Sequence, residues 1–494
     1  MTASASRPAV AAGSVVLPLA LAQFVASYAG SNMNVAITTI AEDIGTTVVG
    51  MQTTITLFTL TMASLMIPGS KLTDIWGRKV CFMWGLGIYG AGALLASFSQ
   101  GLPMMIVGYS LLEGVGSALL IPPIYILITV LFSDTKSRAK YFGMVSGAAG
   151  LGAAAGPLIG GLLTSAISWR ASFILQVLIV ALVAFLARNL EDPPREGAAP
   201  HFDLVGAVLS AAGLFFVVFG ILQASTYGWF SSRADFTLAG TVVIPKGGIS
   251  PVWLFFAVGA LFLLWFFLHI RAVERRHDDP LVAVRLFRNK TSNLGLTTQT
   301  IQWLTMQGSF FVISVFLQQV RGYDAIQTGL MLTPTTIGVL LAAAAAGRLA
   351  RRRPQRFLIR RGFGATIVGL LLVLALGRAD SSNWAFVPGL FLVGAGIGVM
   401  LTSSVNVVQS AFPEEDQGDI SGVSRSVSNL GSSLGVALAG SVLAGASQVG
   451  NGSFALSLLI MIVIAVIGFV AALLIPRDPS VSADRRGQQA PDGG

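Results

Sequence analysis

From Phe454 to Leu474 the chain reads FALSLLIMIVIAVIGFVAALL, a run with no charge and a single hydroxyl, Ser457. A helix needs about 20 consecutive apolar residues to cross the hydrocarbon layer of a bilayer. Val252–Leu268 is of the same kind, apolar on every face. A barrel strand would alternate apolar and polar residues over about 10 positions, and neither run does. Backbone N–H and C=O groups in lipid must be satisfied within the segment, which a continuous helix achieves. Both runs therefore predict transmembrane helices, and similar blocks recur along the whole chain.

Composition agrees. Of 494 residues, 54% are hydrophobic and 11% charged, against about 25% charged in soluble domains. Mean hydropathy is +0.77. That leaves too little polar surface for a water-facing exterior. The one cysteine, Cys81, excludes an intrachain disulfide and a thiolate metal cluster. The net charge of +9 does not indicate nucleic acid, because the basic residues sit in short loops between apolar blocks. The positive-inside rule and anionic headgroups place them there. The histidines His201, His269 and His277 have no metal-site spacing, and no GxxxxGK[ST] nucleotide loop occurs. No cofactor or metal is expected. The first apolar block, Val15–Ala41, exceeds the about 7–15 residues of a cleaved signal core, so no removed leader is expected.

Fourteen spans fit the apolar blocks, at about 14–41, 49–69, 79–98, 103–131, 142–166, 171–188, 203–224, 251–270, 292–319, 326–347, 363–377, 385–410, 421–446 and 453–475. An even count puts both termini on one side. Alternate loops carry Lys71, Arg78 and Lys79; Lys136, Arg138 and Lys140; Arg188 and Arg195; six bases from Arg271 to Lys290; and a block from Arg348 to Arg361. The opposite loops hold only Arg170, Arg233, Lys246, Arg321 and Arg378. The basic side, with both termini, is expected to be cytoplasmic, in the plasma membrane.

The expected organisation is an all-α membrane protein of two six-helix bundles plus two inserted helices. Residues 1–13 form a cytoplasmic tail, 14–188 the first bundle, 189–291 a linker with the two inserted helices and an external loop at Ser225–Ser250, 292–476 the second bundle, and 477–494 a disordered tail. A weak internal repeat supports the division. Gly69–Lys79 follows the second span as Gly347–Arg353 follows the tenth, and spans 5 and 13 are both rich in glycine. Repeated halves around a central cavity are a common transporter plan.

Two segments carry more specific chemistry. The turn Ser70–Lys79 puts Asp74 close before Gly77, Arg78 and Lys79. An acid at a helix end beside a basic turn suits a latch on one conformation, or simply a positive-inside turn. The fifth span carries Gly152, Gly156, Pro157, Gly160 and Gly161. Gly152, Gly156 and Gly160 share one helix face and permit close approach of another backbone. Pro157 removes an amide donor and bends the helix. Gly156 and Pro157 are expected at a contact between the bundles, with plain tight packing as the alternative.

These segments resemble the major facilitator superfamily, in particular its fourteen-span drug:proton antiporter branch. Ser70–Lys79 resembles that superfamily's G-x-L-a-D-r-x-G-r-k turn, and the fifth span its antiporter motif g-x-x-x-G-P-x-x-G-G. Trp169-Arg170, Phe202–Gly206 and Arg285–Asn289 match further, so the resemblance covers about residues 14–476. It implies a major-facilitator-like fold, a central cavity and alternating access by rocking. The chain also departs from the pattern. Ser70 replaces a glycine and Ile75 a basic residue, while Ala29 stands where span 1 usually has an Asp. The usual Arg and Gln of span 4 align with Tyr109 and Glu113.

Glu113 is the only acid well inside any span. Intramembrane charges are costly and functional by default. Glu113 is therefore the candidate proton carrier, with Tyr109 four residues earlier on the same face as its expected hydrogen-bond partner. A permanently neutral, structural Glu113 is the alternative. Candidate cavity residues are Tyr28, Ser31, Asn32 and Asn34 in span 1 and Gln299, Trp303 and Gln307 in span 9. Each of these also suits interhelical hydrogen bonding. Arg425 is expected to snorkel to the surface.

The leading expectation is a secondary active transporter, monomeric and in contact with membrane lipids. It would export a small, apolar or weakly polar molecule, with protons as the coupling ion, in the manner of multidrug efflux. A facilitator or importer of the same fold is the first alternative. A non-transporting sensor or partner in envelope-lipid assembly is the second. No nucleophile–base set appears, so an enzyme is not expected.

Overall fold

A computed structural model describes residues 12–132, 135–190, 201–238, 241–276, 279–350, 353–412, 417–444 and 450–476. The two tails' outer residues, much of the 189–201 linker and the acidic Glu414–Asp416 loop lie outside these residues.

The spans form as helices. In the first half they are α1 (Ala12–Asn32), α3 (Val48–Trp76), α4 (Arg78–Ser97), α6 (Gly114–Leu131) with its lead-in, α7 (Thr135–Ala166) and α8 (Trp169–Ala187). The inserted pair is α9 (Leu204–Tyr227) and α10 (Pro251–Arg275). The second half holds α11 (Lys290–Val315), α12 (Ala325–Ala350), α13 (Gln355–Leu376), α14 (Val387–Gln409), α15 (Gln417–Ala444) and α16 (Asn451–Leu474). Thirteen described helices are long and apolar enough to span, or fourteen counting bent α7 as one. The face where the described chain begins at Ala12 and ends after α16 is the terminal face, and the opposite one the hairpin face. There the 225–250 loop folds into an antiparallel pair, β1 (Phe236–Leu238) and β2 (Thr241–Ile244).

Four local features differ from uniform spans. The first block is not one rod: α1 stops at Asn32, Met33–Val35 is a 3-10 turn, and α2 (Ile37–Asp43) resumes. Asn side chains offer the backbone alternatives to the helical ladder, and Asn34 Nδ2 donates to Ser31 O at 3.4 Å. Span 4 begins as α5 (Leu102–Met105) and then runs through π-helical turns from Ile106 to Glu113 before α6. Span 9 ends in a shorter π-helical stretch, Phe316–Val320. α7 bends by 40° between its Gly143–Ala153 and Ala155–Ala166 parts. Proline clashes with the carbonyl four residues earlier, which for Pro157 is Ala153.

Packing follows the repeat. Within the halves, α1 lies on α7 and α11 on α15. Between them, α3 lies on α15 and α7 on α12. Overlaying spans 1–6 on 9–14 exchanges these two seams, so the halves are related by an approximate two-fold. The small residues repeat too. Beta carbons added at Gly152 and Gly156 would lie 2.3 Å from Phe24 O and 1.9 Å from Ser31 Oγ of α1. Their counterparts at Gly431 and Gly435 would lie 2.3 Å from Thr300 O and Leu304 O of α11. This corrects the expectation for the fifth span. Gly152, Gly156 and Gly160 seat α7 on α1 inside one bundle. Pro157 and Gly161 are the residues that meet the other half, at Gly329 and Ala325 of α12. The inserted α9 leans on both α3 and α15, with α10 outside it.

Candidate functional site

Glu113 closes the π-helical stretch of span 4 and is fully buried. Glycines make that position. A beta carbon at Gly92 would lie 2.7 Å from Glu113 N, and one at Gly116 would lie 2.5 Å from Tyr89 N. The backbones of α4 and α6 therefore touch, which brings Tyr89 beside the Glu113 side chain. Tyr89 makes two contacts to acceptors: Gln176 Oε1 of α8 at 2.5 Å and Val25 O of α1 at 3.3 Å. Its one hydrogen goes to the nearer, so toward Glu113 it presents a lone pair. Among the described residues, neither carboxyl oxygen of Glu113 has a hydrogen-bond partner of ordinary geometry.

Tyr109 is not the partner expected for Glu113. Its hydroxyl donates to Ala29 O at 3.0 Å, and its ring stacks on Phe58 with centroids 4.5 Å apart. The i, i+4 relation assumes α-helical winding, whereas this stretch is wound with a wider turn that rotates Tyr109 toward α1.

The span 1 candidates turn mostly into their own bundle. The Tyr28 hydroxyl lies near Ser172 and Asn32. Ser31 sits against Gly156 and contacts Gly152 O of α7 at 3.4 Å. The Asn32 side chain packs on Gly160. Asn34 reaches the other half through its carbonyl, which accepts from Gln318 Nε2 at 2.9 Å. Of the span 9 candidates, Gln299 is held inside its bundle by Ser428 and Ser424 of α15 at 2.8 and 3.0 Å. Gln307 crosses the seam to Gly30 O at 3.2 Å. Trp303 is half-buried, one turn nearer the terminal face.

Exposure along the two central helices is one-sided. On α1 it falls from Leu17 through Phe24 and Ser27 to the buried Met33. On α11 it falls from Thr297 through Thr300 and Trp303 to the buried Gln307. Gly143, Gly147 and Gly150 of α7 have open space around them. On the α7–α12 side the seam is thus open toward the terminal face and shut toward the hairpin face, whereas α3 and α15 touch along their length, from Gln52 and Ala437 to Ser70 and Gly422. Gln318, in the π-helical end of span 9, completes the closure. Its Oε1 accepts from Thr38 N and Oγ1 at 3.0 and 2.9 Å.

In the basic turn, Gly77 alone links α3 to α4, with φ 104, a conformation that favours glycine. Lys79 Nζ donates to Arg188 O at the end of α8 at 2.8 Å. Arg78 Nε is buried without a partner among the described residues. The turn begins at Ser70, which faces Gly422 of α15 across the seam. Asp74 takes part in further interactions. Arg425 does more than snorkel. Its guanidinium lies 4.6 Å from the Tyr125 ring centroid and bonds the Tyr125 hydroxyl, joining α15 to α6.

Tyr89, Gln176 and Gln318 were not singled out in the sequence. A signal existed for Gln176, an amide inside an otherwise apolar span, and for Tyr89, flanked by Gly85 and Gly92.

The profile of the Major Facilitator Superfamily matches residues 19–245 and 206–436. The multidrug resistance protein Stp of Mycobacterium tuberculosis (strain CDC 1551 / Oshkosh) is 27% identical over 412 residues, 83% of this chain and 72% of its own. A probable actinorhodin transporter of Streptomyces coelicolor is 28% identical over 425 residues, 84% and 70% of the two chains. A tetracenomycin C resistance and export protein of Streptomyces glaucescens is 27% identical over 420 residues, 83% and 72%. Two bundles exchanged by an approximate two-fold and a profile match over most of the length together place the chain in the Major Facilitator Superfamily as a multi-pass membrane transporter of small molecules, not an enzyme.

Proposed function

We propose that the protein exports a small apolar or weakly polar molecule across the plasma membrane, with protons as the coupling ion and Glu113 as their carrier. Residues 14–188 and 292–476 rock against each other about the seam, and residues 189–291 ride with them. Both termini face the cytoplasm, as the bias of basic loops favours. The similar proteins named for multidrug resistance and export support the direction.

One observation carries the coupling reading. Glu113 is a mid-span carboxyl, fully buried, whose oxygens have no hydrogen-bond partner of ordinary geometry among the described residues. A carboxylate left so would cost far more than a neutral acid. A group that must lose its proton for part of a cycle is therefore tied to a change in its surroundings. Alternating access supplies that change.

The test uses inverted vesicles and a panel of fluorescent lipophilic dyes and antibiotics, with and without a proton gradient. Glu113→Gln is expected to abolish gradient-driven accumulation and to keep passive exchange. Accumulation by Glu113→Gln with unchanged pH dependence would overturn the reading. A facilitator is the second reading, favoured by Ala29. That position carries no acid, and its carbonyl is occupied by Tyr109. A wild-type protein that equilibrates dyes but never concentrates them would establish it.

A further inference from the structure

We propose that Gln176 and Tyr89 are positioning residues for proton handling at Glu113, in which the orientation of the Gln176 amide decides whether Tyr89 accepts a hydrogen bond from the acid or donates one to the carboxylate. This inference rests on the reading of Glu113 as the proton carrier.

The three side chains come from three helices and are all fully buried. In the present arrangement Tyr89 donates to Gln176 Oε1 at 2.5 Å. Its lone pair is then all it offers Glu113, and only a carboxylic acid O–H can use a lone pair. The other end of the amide, Gln176 Nε2, is buried without a partner among the described residues. An unmade bond to a buried polar atom is costly, and turning the amide would leave Oε1 rather than Nε2 unpaired there, so Gln176 alone does not fix the orientation and the charge on Glu113 can. The two ends of an amide are nearly the same size, so turning it over needs no repacking. After the turn, Nε2 donates to the Tyr89 oxygen. The tyrosine hydrogen, released from Gln176, has Val25 O at 3.3 Å and the Glu113 carboxylate to choose between, and the charged acceptor is the stronger, so it turns to Glu113 when that group is ionised. Tyr89 keeps its proton throughout. The proton that Glu113 gains or loses comes from and returns to water reaching the bundle.

The surroundings suit such a role. Tyr28 and Ser172 hydroxyls and Asn32 Oδ1, also buried and without partners of ordinary geometry, lie on the α1 and α8 side of the group. Buried polar atoms left over in a cluster are the usual sites of internal water. Among the described residues, the titratable groups near Glu113 are Tyr89 from α4 and Tyr109 from its own helix, with Tyr28 of α1 on the far side of Tyr89. The other packed helices bring no described charge to it: α3 offers Phe58 and Thr61, α8 offers Ser172 and Gln176, and Arg425 of α15 meets the span further along, at Tyr125.

The two ends of the switch predict opposite effects. Gln176→Leu frees the Tyr89 hydrogen for the carboxylate, so the pH of half-maximal dye accumulation should fall. Tyr89→Phe removes every donor to the carboxylate, so it should rise. A hydrogen bond to a charged group corresponds to about one pH unit in either direction. In liposomes, the infrared carbonyl band of protonated Glu113, identified by its loss in Glu113→Gln, should lose half its intensity at correspondingly shifted pH values. Passive dye exchange confirms that each variant is folded, and Gln176→Met replaces Gln176→Leu where the latter fails to insert. If both variants keep the wild-type midpoint, or both move it the same way, the inference is wrong while the carrier reading stands. If Glu113→Gln still accumulates dye, both fall together.

Discussion

Asp43 and Glu113 are carboxyls in opposite settings. Asp43 sits at the end of α2 on the hairpin face, part-exposed, bonded to the Arg170 guanidinium and to the Trp169 indole N–H at 3.0 Å. Arg170 also donates to Ser99 O at 3.0 Å, so one acid gathers three helix ends. The Arg170 bond, then the Trp169 bond, hold the Asp43 carboxyl below the usual carboxylate range. A lowered folded value means a stabilising contribution that is complete above the unfolded carboxylate range of about 3.9 and lost as pH falls through the folded value. Asp43→Asn should therefore lower the melting temperature at pH 7, by the roughly 0.2–1 kcal/mol of an exposed pair. The difference from wild type should close as the melts are repeated toward pH 3. A constant difference would assign the loss to packing. Tyr109→Phe tests the reassignment inside the bundle. It gives up the bond to Ala29 O, about 1 kcal/mol, and keeps the stack on Phe58. Thermal stability should drop slightly while the pH profile of transport stays where it is; a moved profile would return Tyr109 to the proton site. Glu113 was legible as the lone acid in the spans. Its partners were not, because sequence spacing sees neighbours on one helix, whereas Tyr89 and Gln176 arrive from two others.

Among the described residues, two spans contain π-helical winding, and each places a polar side chain where it matters: Glu113 in span 4 and Gln318 in span 9. Such stretches recur at functional sites, and no composition cue marks them. Glycine patterns were more readable. The GxxxGPxxGG run marked close-packed positions and Pro157 does meet the other half, but its glycine face turns to α1 instead, since spacing fixes the face and only tertiary packing chooses what covers it. The two faces of α7 now predict different failures. In Gly156→Leu the new side chain must displace Ser31 and Asn32 inside one bundle, at about 1–3 kcal/mol or more. Detergent-solubilised Gly156→Leu should melt well below wild type. In Gly329→Val the beta carbon would meet Pro157 O at 2.4 Å, across the seam. That variant should stay folded but disfavour the state shut on the hairpin face. A Thr38→Cys reporter in the Cys81→Ala background should then label faster with an impermeant maleimide. Equal melting points for the two variants would erase the distinction between the faces.

Across the whole molecule, the exchange of α3–α15 for α7–α12 under the overlay gives the seam two matching hinges. Here α7 and α12 are parted toward the terminal face while α3 and α15 stay in contact from Gln52 to Ser70, so a rigid half that tilts opens and closes chiefly along α7–α12. The hairpin end is held by contacts spread over several elements: Gln318 to Thr38 and Asn34, Gln307 to Gly30, and Ile326 N to Ser165 Oγ at 3.0 Å. These polar contacts sit on an apolar core that runs through both halves, and each is individually weak, which suits a joint that opens in every cycle. Span count, loop charge and repeat were all legible because each is a property of long windows. The open and shut faces were not, because one sequence serves both states. Covalent closure makes the point measurable. With Cys81 replaced by Ala, cysteines at Ser165 and Ile326 should form a disulfide, because Ser165 Oγ already touches the Ile326 amide. Oxidation should stop dye transport completely, and reductant should restore it, because the hairpin face can no longer open. The terminal face should be unaffected by the lock. A third cysteine at Thr297, exposed on the open side of α11, should therefore react with a maleimide at the same rate before and after oxidation in inverted vesicles. If the locked protein still transports, the 165–326 contact does not part during the cycle. If Thr297→Cys becomes protected on oxidation, the two ends of the seam move together rather than in alternation, and the rocking account fails.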